Sequence, residues 1–597
     1  LNNMIIGKYV NKYYWKYFGF FLFGLLALLA VNWFQLEIPR ICGEILDGIG
    51  EEAQANPDSL FNNPEGIKRL MIELAFIAGV MFVGRFTWRY CIFGVAARIE
   101  ADVRHQMFTH SLKLSNAYYK HHKTGALMAL FTNDLQVIKQ SFGSGTVMAI
   151  DAVFLGSFAL YRMFTTNWIL SCFSIIPMAL IAVISAIVGR ILKEKFKARQ
   201  EAYEALSDFA QENFSGIAVV KAFVKEVHEI RHFDKINEEN RAKNINYVKY
   251  ATLLNVLLTV VISSIFLLLF AGGAYFVLNG FMGKEFTVGE MWEFVGYFDA
   301  VIWPFMAVAQ LINMRAQAKA SLNRVNEFLN EKIEIVDTDV VDVDQIQGKI
   351  EFRNLNFQYP DGSNKVLSNI SLVIPEGTMV GIIGKTGCGK TTIVDLLLRT
   401  YNLEDGQIFI DDKDIMHIPY KKVREGIGYV PQDNFLFSDT ISNNIAFAYE
   451  KLDEEAIVSA AKLADVHNNI LEFQEKYDTI LGERGVPLSG GQKQRVSIAR
   501  AIVKNPPILI FDDSVSAVDT KTEEKILTNL RNLREGKTTI MIAHRISTVK
   551  SLDLIVVMDE GEIVGVGQHN ELLESCPLYQ EMVHLQSLEA EINGGDE

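Results

Sequence analysis

The eight residues from Gly384 to Thr391 read Gly-Lys-Thr-Gly-Cys-Gly-Lys-Thr and match the phosphate-binding pattern G-x-x-x-x-G-K-[ST] without a gap. The apolar run 379–383 before them predicts a buried strand, and residues 392–398 after them can continue as a helix. Glycines in such a loop let backbone N–H groups point at phosphate oxygens, and the helix start adds partial positive charge. The segment therefore predicts a nucleoside triphosphate site.

Two side chains of this loop have separate tasks in that chemistry. Lys390 is expected to neutralise the β- and γ-phosphates, and the Thr391 hydroxyl is expected to ligate Mg²⁺. The residues assigned to nucleotide binding here are Gly384, Lys385, Thr386, Gly387, Cys388, Gly389, Lys390, Thr391 and Thr392.

Two further segments carry complementary chemistry. Residues 508–512, Ile-Leu-Ile-Phe-Asp, predict a buried strand that ends in the carboxylate of Asp512, which suits Mg²⁺. Residues 488–492, Leu-Ser-Gly-Gly-Gln, precede a helical run and predict a second glycine-rich helix start able to bind phosphate. The residues assigned to this second phosphate contact are Ser489, Gly490, Gly491 and Gln492.

The elements that must hold these groups belong to a chain too long for one domain, since it has 597 residues. Hydrophobic residues make up 49%, and the apolar excess lies before about residue 325. The formal net charge is −14, which argues against nucleic acid as the natural partner.

The apolar half of the chain predicts six membrane-spanning helices, because its hydrophobic runs are longer than ordinary core helices. Apolar residues at helical spacing in 97–114 and 192–211 predict that these helices continue into the cytosol. The expected spans are about 15–40, 68–96, 137–165, 167–191, 250–279 and 287–313.

Charge between the spans predicts their orientation. Lys and Arg are concentrated in the connections after the second and fourth spans, whereas the other loops are acidic, short or nearly uncharged. By the positive-inside rule, the N-terminus and the nucleotide-binding part lie in the cytoplasm. The sequence predicts a multi-pass protein of a bacterial cell membrane.

Ionisable residues also occur within or near the spans. Arg85 and Arg89 are four residues apart and share a helix face. Glu37, Asp151, Arg162 and Asp299 lie in or near other spans. Such groups are costly at membrane depth and face either a cavity or one another. Together with recurring aromatic residues they are compatible with a cavity for large amphipathic substrates or with structural ion pairs and interfacial aromatic belts.

From about residue 326 the composition changes. Residues 326–348 are polar and acidic and predict a linker, and 349–585 alternate β-rich runs with helical stretches. This alternation predicts an α/β domain with a mainly parallel core. The expected organisation is a helical membrane domain over 1–325, the linker, an α/β P-loop nucleotide-binding domain over 349–585 and an acidic tail over 586–597.

Taken together, the two glycine-rich motifs, the strand that ends at Asp512 and the six preceding spans resemble the ATP-binding cassette family. The resemblance covers the whole chain and is to an exporter half-transporter. It implies ATP and Mg²⁺ as cofactors, ATP hydrolysis coupled to transport, and two cassettes that sandwich two ATP molecules. Each ATP would lie between the phosphate-binding loop of one cassette and the Leu-Ser-Gly-Gly-Gln segment of the other.

The resemblance implies further roles. Tyr359 looks like the aromatic residue that stacks on adenine, and Gln432 looks like the glutamine that senses Mg²⁺ and the attacking water. Asp519, in Ser-Ala-Val-Asp, is similar to a loop that communicates across the dimer, and His544 looks like the switch histidine at the γ-phosphate. The expected catalytic residues are Asp513, His544 and Gln432, and the expected metal ligands are Thr391, Gln432 and Asp512.

Asp513 departs from the family pattern, which has glutamate directly after the Asp512 position as general base. Its carboxylate is retracted by roughly 1–1.5 Å because one methylene is missing, and misplacement by about 1 Å can cost on the order of 10²-fold in rate. The sequence therefore predicts a site that binds ATP and hydrolyses it slowly. It favours a heterodimer with a second half-transporter of consensus sequence, and a homodimer that tolerates aspartate is the alternative.

Other classes fit less well. A soluble ATPase of this family would lack the six spans, and an importer would usually carry its membrane and nucleotide domains on separate chains. Among exporters, the sequence does not separate drug efflux, lipid flipping and peptide export. Hydrophobic or amphipathic drugs or lipids are the expected substrates.

Overall fold

The computed structural model describes residues 11–49, 64–280, 285–341, 343–482, 488–514 and 520–594. The chain divides into two compact units. The first combines Leu1–Thr109 with Thr124–Asn330, and the second combines His110–Lys123 with Glu331–Glu597.

Helices make up nearly all of the described residues of the first unit, and short connections such as Asn167 and 285–287 join them. Each of the six predicted spans lies largely within a long helix. The helices up to residue 330 are α1 (Asn11–Lys16), α2 (Phe18–Ile49), α3 (Pro64–Ser111), α4 (Asn116–His121), α5 (Thr124–Thr166), α6 (Trp168–Ser215), α7 (Ile217–Ala222), α8 (Glu226–Asn279) and α9 (Val288–Asn330). The short helix α4 belongs to the second unit.

Five of these helices, α2, α3, α5, α8 and α9, are long and apolar enough to cross a membrane. Helix α6 contributes a shorter apolar stretch, Trp168–Pro177, within its described residues. The helices exceed the predicted spans because charged, amphipathic turns continue them beyond the apolar windows. Helix α9, for example, runs on to Asn330.

The core of the first unit lies among α2, α5, α8 and α9. It is built from large apolar side chains, including Leu36, Met163, Leu269 and Phe298. Helix α5 is not a regular α-helix, because it carries three π-helical turns, at Leu130–Asp134, Ser141–Gly145 and Asp151–Leu155. Such turns insert an extra residue into the helix and are frequent at functional sites.

The second unit contains two sheets, as the alternation of strands and helices predicts. The smaller sheet is antiparallel with the order β2-β1-β4-β5. The larger has the order β10-β9-β3-β8-β7-β6, and all its neighbouring pairs are parallel except β9 with β10. The strands are β1 (Ile350–Phe357), β2 (Leu367–Ile374), β3 (Met379–Gly384), β4 (Ile408–Ile410), β5 (Lys413–Asp414), β6 (Ile427–Val430), β7 (Ile508–Asp512), β8 (Thr538–Ile542), β9 (Leu554–Asp559) and β10 (Glu562–Gly567).

Helices pack against these sheets through buried aliphatic side chains. The last helix continues through the predicted acidic tail as far as Gly594. The helices are α10 (Lys390–Leu397), α11 (Tyr420–Gly426), α12 (Ile441–Ile445), α13 (Glu454–Leu463), α14 (His467–Leu471), α15 (Gly490–Val503), α16 (Thr520–Leu533), α17 (Ile546–Val549), α18 (His569–Ser575) and α19 (Pro577–Gly594), with 3-10 turns at Ile415–His417 and Lys476–Asp478.

The order of the parallel strands positions the site. Strands β3, β8 and β7 are adjacent, so their carboxyl ends meet at one edge of the sheet. The phosphate-binding loop follows β3, Asp512 ends β7, and His544 comes shortly after β8. Ligands of open parallel sheets bind outside such an edge.

Candidate active site

The loop after β3 has a backbone that only glycine fits at two positions. Gly389, directly before α10, has φ of 98°, and a Cβ there would lie 2.6 Å from Leu367 Cδ2. A Cβ on Gly384 would lie 2.2 Å from the carbonyl oxygen of Met558. A side chain at either position would collide with these neighbours. The conformation of the loop before α10 therefore depends on glycine at both positions.

Within the loop, Lys390 is buried and its Nζ donates hydrogen bonds to the carbonyl oxygens of Gly384 and Lys385, at 2.8 and 2.9 Å. These carbonyls carry partial charge only, so anionic phosphate oxygens would be stronger acceptors for the ammonium group. Gly387 is exposed, as are its neighbours Lys385 and Thr386.

Cys388 is also buried. Burial raises the pKa of its thiol. The thiol therefore stays protonated and acts as a small packing group beneath the loop.

Asp512 lies beside the loop, as the sequence predicts for a metal ligand. The Thr391 hydroxyl donates to Asp512 Oδ1 at 3.2 Å, and the Tyr429 hydroxyl lies 3.4 Å from Oδ2. Burial raises the pKa of Asp512, and the hydrogen bonds from the Thr391 and Tyr429 hydroxyls oppose that rise. A hydroxyl and a buried carboxylate form an oxygen donor set that fits Mg²⁺, and the ion would supply the missing positive charge.

Asp513 follows at the end of β7 with its backbone in the left-handed region, at φ of 47°. Its N–H donates to the carbonyl oxygen of Ile542 at 2.9 Å, which ties this turn to the end of β8. Aspartate tolerates this conformation better than most residues. The backbone therefore fixes where the short carboxylate begins, and the missing methylene limits how far it extends.

His544 lies in a turn that is held from the C-terminal helix. Gln586 of α19 donates from Nε2 to the carbonyl oxygen of His544 at 2.7 Å, and its Oε1 accepts from the N–H of Ile546 at 2.7 Å. One amide thus satisfies two backbone groups of the turn, the carbonyl of His544 and the N–H of Ile546. Gln586 was not predicted from the sequence, where it falls in the expected tail.

We expect Gln586→Ala to lower the preference for ATP over ADP by about fivefold, the effect of roughly one lost hydrogen bond. His544 is predicted to contact the γ-phosphate, which ATP carries and ADP lacks, so displacing it should weaken the binding of ATP selectively. Equilibrium binding of both nucleotides checks this, with Gln580→Ala as control, since Gln580 lies on the same helix and bonds only to Leu573. If the losses of ATP preference in Gln586→Ala and His544→Ala added up in the double variant, Gln586 would not act through His544.

Tyr359 is half-buried, and its hydroxyl lies 3.0 Å from Thr392 Oγ1. Its ring packs edge-to-face on Tyr401, with centroids 5.2 Å apart. Lys120 Nζ, from the segment between α3 and α5, lies 5.3 Å from the centre of the Tyr359 ring and donates to the Tyr401 hydroxyl at 3.1 Å. The ring is therefore held from several sides, as a stacking platform for a base requires.

Tyr359→Ala is expected to weaken ATP binding by about tenfold or more, because stacking on an aromatic ring contributes about 1–3 kcal/mol per base. Tyr359→Phe keeps the ring and loses only the bond to Thr392, so it serves as the matched control. Nucleotide titrations measure both, and inorganic triphosphate should bind the two variants equally. A phenylalanine variant as weak as the alanine variant would contradict stacking.

The 488–492 segment forms the second helix start that the sequence predicts. Ser489 caps α15, and Ser489 and Gln492 satisfy each other's backbone N–H groups in a capping box. Ser489 and Gly490 are exposed. Among the described residues, no hydrogen bond joins this segment to the phosphate-binding loop of the same chain. The capping box occupies the Ser489 and Gln492 side chains, and the exposed Gly490 leaves the backbone at the helix start open to solvent.

For two predicted site residues, Gln432 and Asp519, the structure shows no contact with the other site residues that it describes. Gln432 is exposed in the segment that follows β6 and makes no hydrogen bond within the part of the chain that the structure describes. Asp519 lies outside the described residues. Lys120, Tyr401 and Gln586 were missed because no local pattern links them to residues far away in the chain.

Comparisons with known proteins match both units. Residues 21–305 match the family model of the ABC transporter transmembrane region, and residues 367–516 match that of the ABC transporter. A probable multidrug resistance ABC transporter ATP-binding/permease protein, YheI of Bacillus subtilis, is 35% identical over 99% of this chain and 98% of its own length. An ATP-dependent lipid A-core flippase of Syntrophus aciditrophicus is 35% identical over 83% of this chain and 82% of its own.

A solved structure of a bacterial Atm1-family ABC exporter with ATP bound superimposes with a TM-score of 0.72 at 25% identity. The match covers 97% of this chain and 98% of that one. The relatives and the two family models indicate the same family. The sheet edge that brings the phosphate-binding loop next to Asp512 agrees with them. The chain belongs to the ATP-binding cassette transporters, as an ATP-hydrolysing membrane exporter with one transmembrane region and one nucleotide-binding unit.

Proposed function

We propose that this chain is one subunit of a dimeric exporter that moves hydrophobic or amphipathic molecules out of the cytoplasm of a bacterium. The named relatives, a probable multidrug transporter and a lipid A-core flippase, support this substrate class. The N-terminus and the nucleotide-binding unit lie in the cytoplasm in this proposal, in keeping with the basic connections after the second and fourth spans.

The chain's own nucleotide site binds ATP and hydrolyses it slowly. The observation that carries this is Asp513, whose backbone is fixed by its bond to Ile542 and whose carboxylate is one methylene shorter than the usual glutamate. Thr391 and Asp512 hold Mg²⁺, Lys390 holds the phosphates, and His544 and Gln432 contact the γ-phosphate and the water.

The chain's second task is to complete a site on its partner. The exposed Gly490 at the start of α15 presents its N–H group to the γ-phosphate of ATP held by the partner chain. The partner in this proposal is a different half-transporter with glutamate at the position of Asp513. ATP closes the dimer because it binds the closed state better than the open one, and hydrolysis at the partner's site resets it.

The test is ATP turnover by the chain purified alone and with a candidate partner, in lipid nanodiscs, with and without hydrophobic dyes. We expect little turnover alone, and dye-stimulated turnover in the pair. Turnover of several per second by the chain alone that Asp513→Ala abolishes would support a homodimer instead. Stimulation by lipids and not by dyes would point to lipid flipping.

A further inference from the structure

In the described part of the membrane unit, two carboxylates with little exposed side chain are paired with arginine. Arg324 bonds to both oxygens of Asp134. Glu37 is paired with Arg162 and Arg40 at 2.5 Å each. Of the ionisable residues expected in or near the spans, Glu37 and Arg162 form an ion pair with each other.

Asp151 is different. Its side chain lies where α2, α5 and α9 meet, and only 8% of the residue is exposed. Asn32 Nδ2 donates to one carboxylate oxygen at 3.0 Å, and Trp303 Nε1 donates to the other at 3.2 Å. Among the described residues no lysine, arginine or histidine forms an ion pair with it. The two donors are neutral, so a negative charge on this carboxylate has no cationic partner among the described residues.

The surroundings of Asp151 are irregular and aromatic. A π-helical turn of α5 begins at Asp151, and Trp303 precedes Pro304 within α9. The two helices approach closely here, since a Cβ on Gly156 would lie 3.2 Å from the ring of Pro304. Trp303 is 44% exposed and turns its Nε1 edge to the buried carboxylate, so a partly exposed aromatic ring lies directly beside it.

We propose that Asp151, with the ring of Trp303, binds the cationic group of an amphipathic organic substrate. An ionisable group at membrane depth is costly and is retained where it has a partner, and no described residue of the chain supplies Asp151 with a cation. A metal ion fits poorly, because Asn32 and Trp303 turn N–H donors rather than oxygens toward the carboxylate. An organic cation needs one counter-charge and an aromatic surface, and it finds both here.

This inference rests on the proposed export function and narrows its substrates to lipophilic cations. Tetraphenylphosphonium and tetraphenylborate are suitable probes, because they have the same shape and opposite charge. Isothermal titration calorimetry on the purified transporter in zwitterionic nanodiscs measures both. We expect the cation to bind about tenfold tighter or more, the effect of a charge-assisted contact. Asp151→Asn should remove that preference and leave binding of the anion within about twofold.

The matched control is Asp299→Asn, which removes an exposed carboxylate from the same region of α9. It should leave the preference unchanged, and an equal loss in both variants would overturn the proposal in favour of general electrostatics. No preference in the unmodified protein would also overturn it, and would indicate that Asp151 is protonated and structural.

Trp303→Ala provides a second measurement in case Asp151→Asn does not fold, as judged by gel filtration and thermal unfolding. It should weaken binding of the cation severalfold and leave binding of the anion unchanged. Unchanged binding of the cation would contradict the site.

The experiments distinguish failure of this inference from failure of the export proposal. If dyes of any charge stimulate ATP turnover without a preference for the cation, export stands and the Asp151 site falls. If no amphiphile stimulates turnover, the export proposal falls, whereas a cation preference lost in Asp151→Asn still supports the site.

Discussion

Asp513→Glu is expected to raise ATP turnover at this chain's own site by tenfold to a hundredfold. The substitution extends the carboxylate by roughly 1–1.5 Å, and a displacement of about 1 Å at a reacting group costs on the order of 10²-fold in rate. The intrinsic pKa values of aspartate and glutamate are close, so reach rather than basicity is what changes. The expected gain in turnover therefore comes from the position of the carboxylate and not from a change in its basicity.

The same substitution is expected to lower the stability of the fold slightly. Asp513 has φ of 47°, a conformation that aspartate adopts more readily than glutamate. The expected cost is about 1 kcal/mol, measurable by thermal unfolding of the purified protein. A variant that hydrolyses faster while it unfolds at a lower temperature would indicate that backbone geometry and catalysis oppose each other at this position.

Phosphate release under saturating MgATP measures the gain, and Asp513→Asn is the control because it keeps the size and removes the charge. Asparagine should abolish whatever slow hydrolysis the chain has. Turnover that stays the same in the glutamate variant would contradict a site limited by the length of this side chain.

The arrangement of the ATP site could be predicted from sequence because each part is locally encoded. The glycines of 384–389 fix one loop, and the apolar run that ends at Asp512 fixes a buried strand. In a parallel sheet the carboxyl ends of neighbouring strands meet at one edge, so a motif at the end of each strand is enough to bring Thr391 to Asp512. The same reasoning predicted the apolar helices from the length of the hydrophobic runs.

Contacts between distant segments could not be predicted in this way. Lys120 reaches Tyr401 across 281 residues, Asn32 reaches Asp151 across 119, and Gln586 reaches the turn of His544 across 42. Each is a single polar side chain without a repeating pattern, and its partner is fixed only when the elements pack. The acidic composition after residue 586 even favoured a separate tail, whereas the apolar side chains of α19 pack on the core as far as Val583.

The two glycine-rich motifs of this chain have different functions in the proposal, which makes them separable by mutation. The loop at 384–391 holds ATP for this chain, and the segment at 488–492 serves the partner's site. A defect in the first should reduce hydrolysis modestly, and a defect in the second should abolish it. Lys390→Ala and a substitution at Gly490 therefore form an informative pair.

Gly490→Asp is expected to reduce ATP turnover by the assembled transporter about 10²-fold or more, the effect of losing one phosphate-contacting donor in an active site. The variant should fold normally, because a Cβ on Gly490 meets nothing within 4 Å and an acidic residue in the first turn of α15 is favoured by the helix dipole. The new carboxylate would instead repel the γ-phosphate presented by the partner chain.

Phosphate release by the assembled pair, with ATP binding to this chain measured in parallel, checks that expectation. Binding at the chain's own loop should be unchanged in Gly490→Asp, and Gly490→Ala should retain more turnover because it adds bulk without charge. The decisive comparison is with Lys390→Ala, which should cost much less. If Lys390→Ala abolished turnover and Gly490→Asp spared it, ATP would be hydrolysed at this chain's own loop without a partner's contribution, and the division of tasks between the two motifs would be wrong.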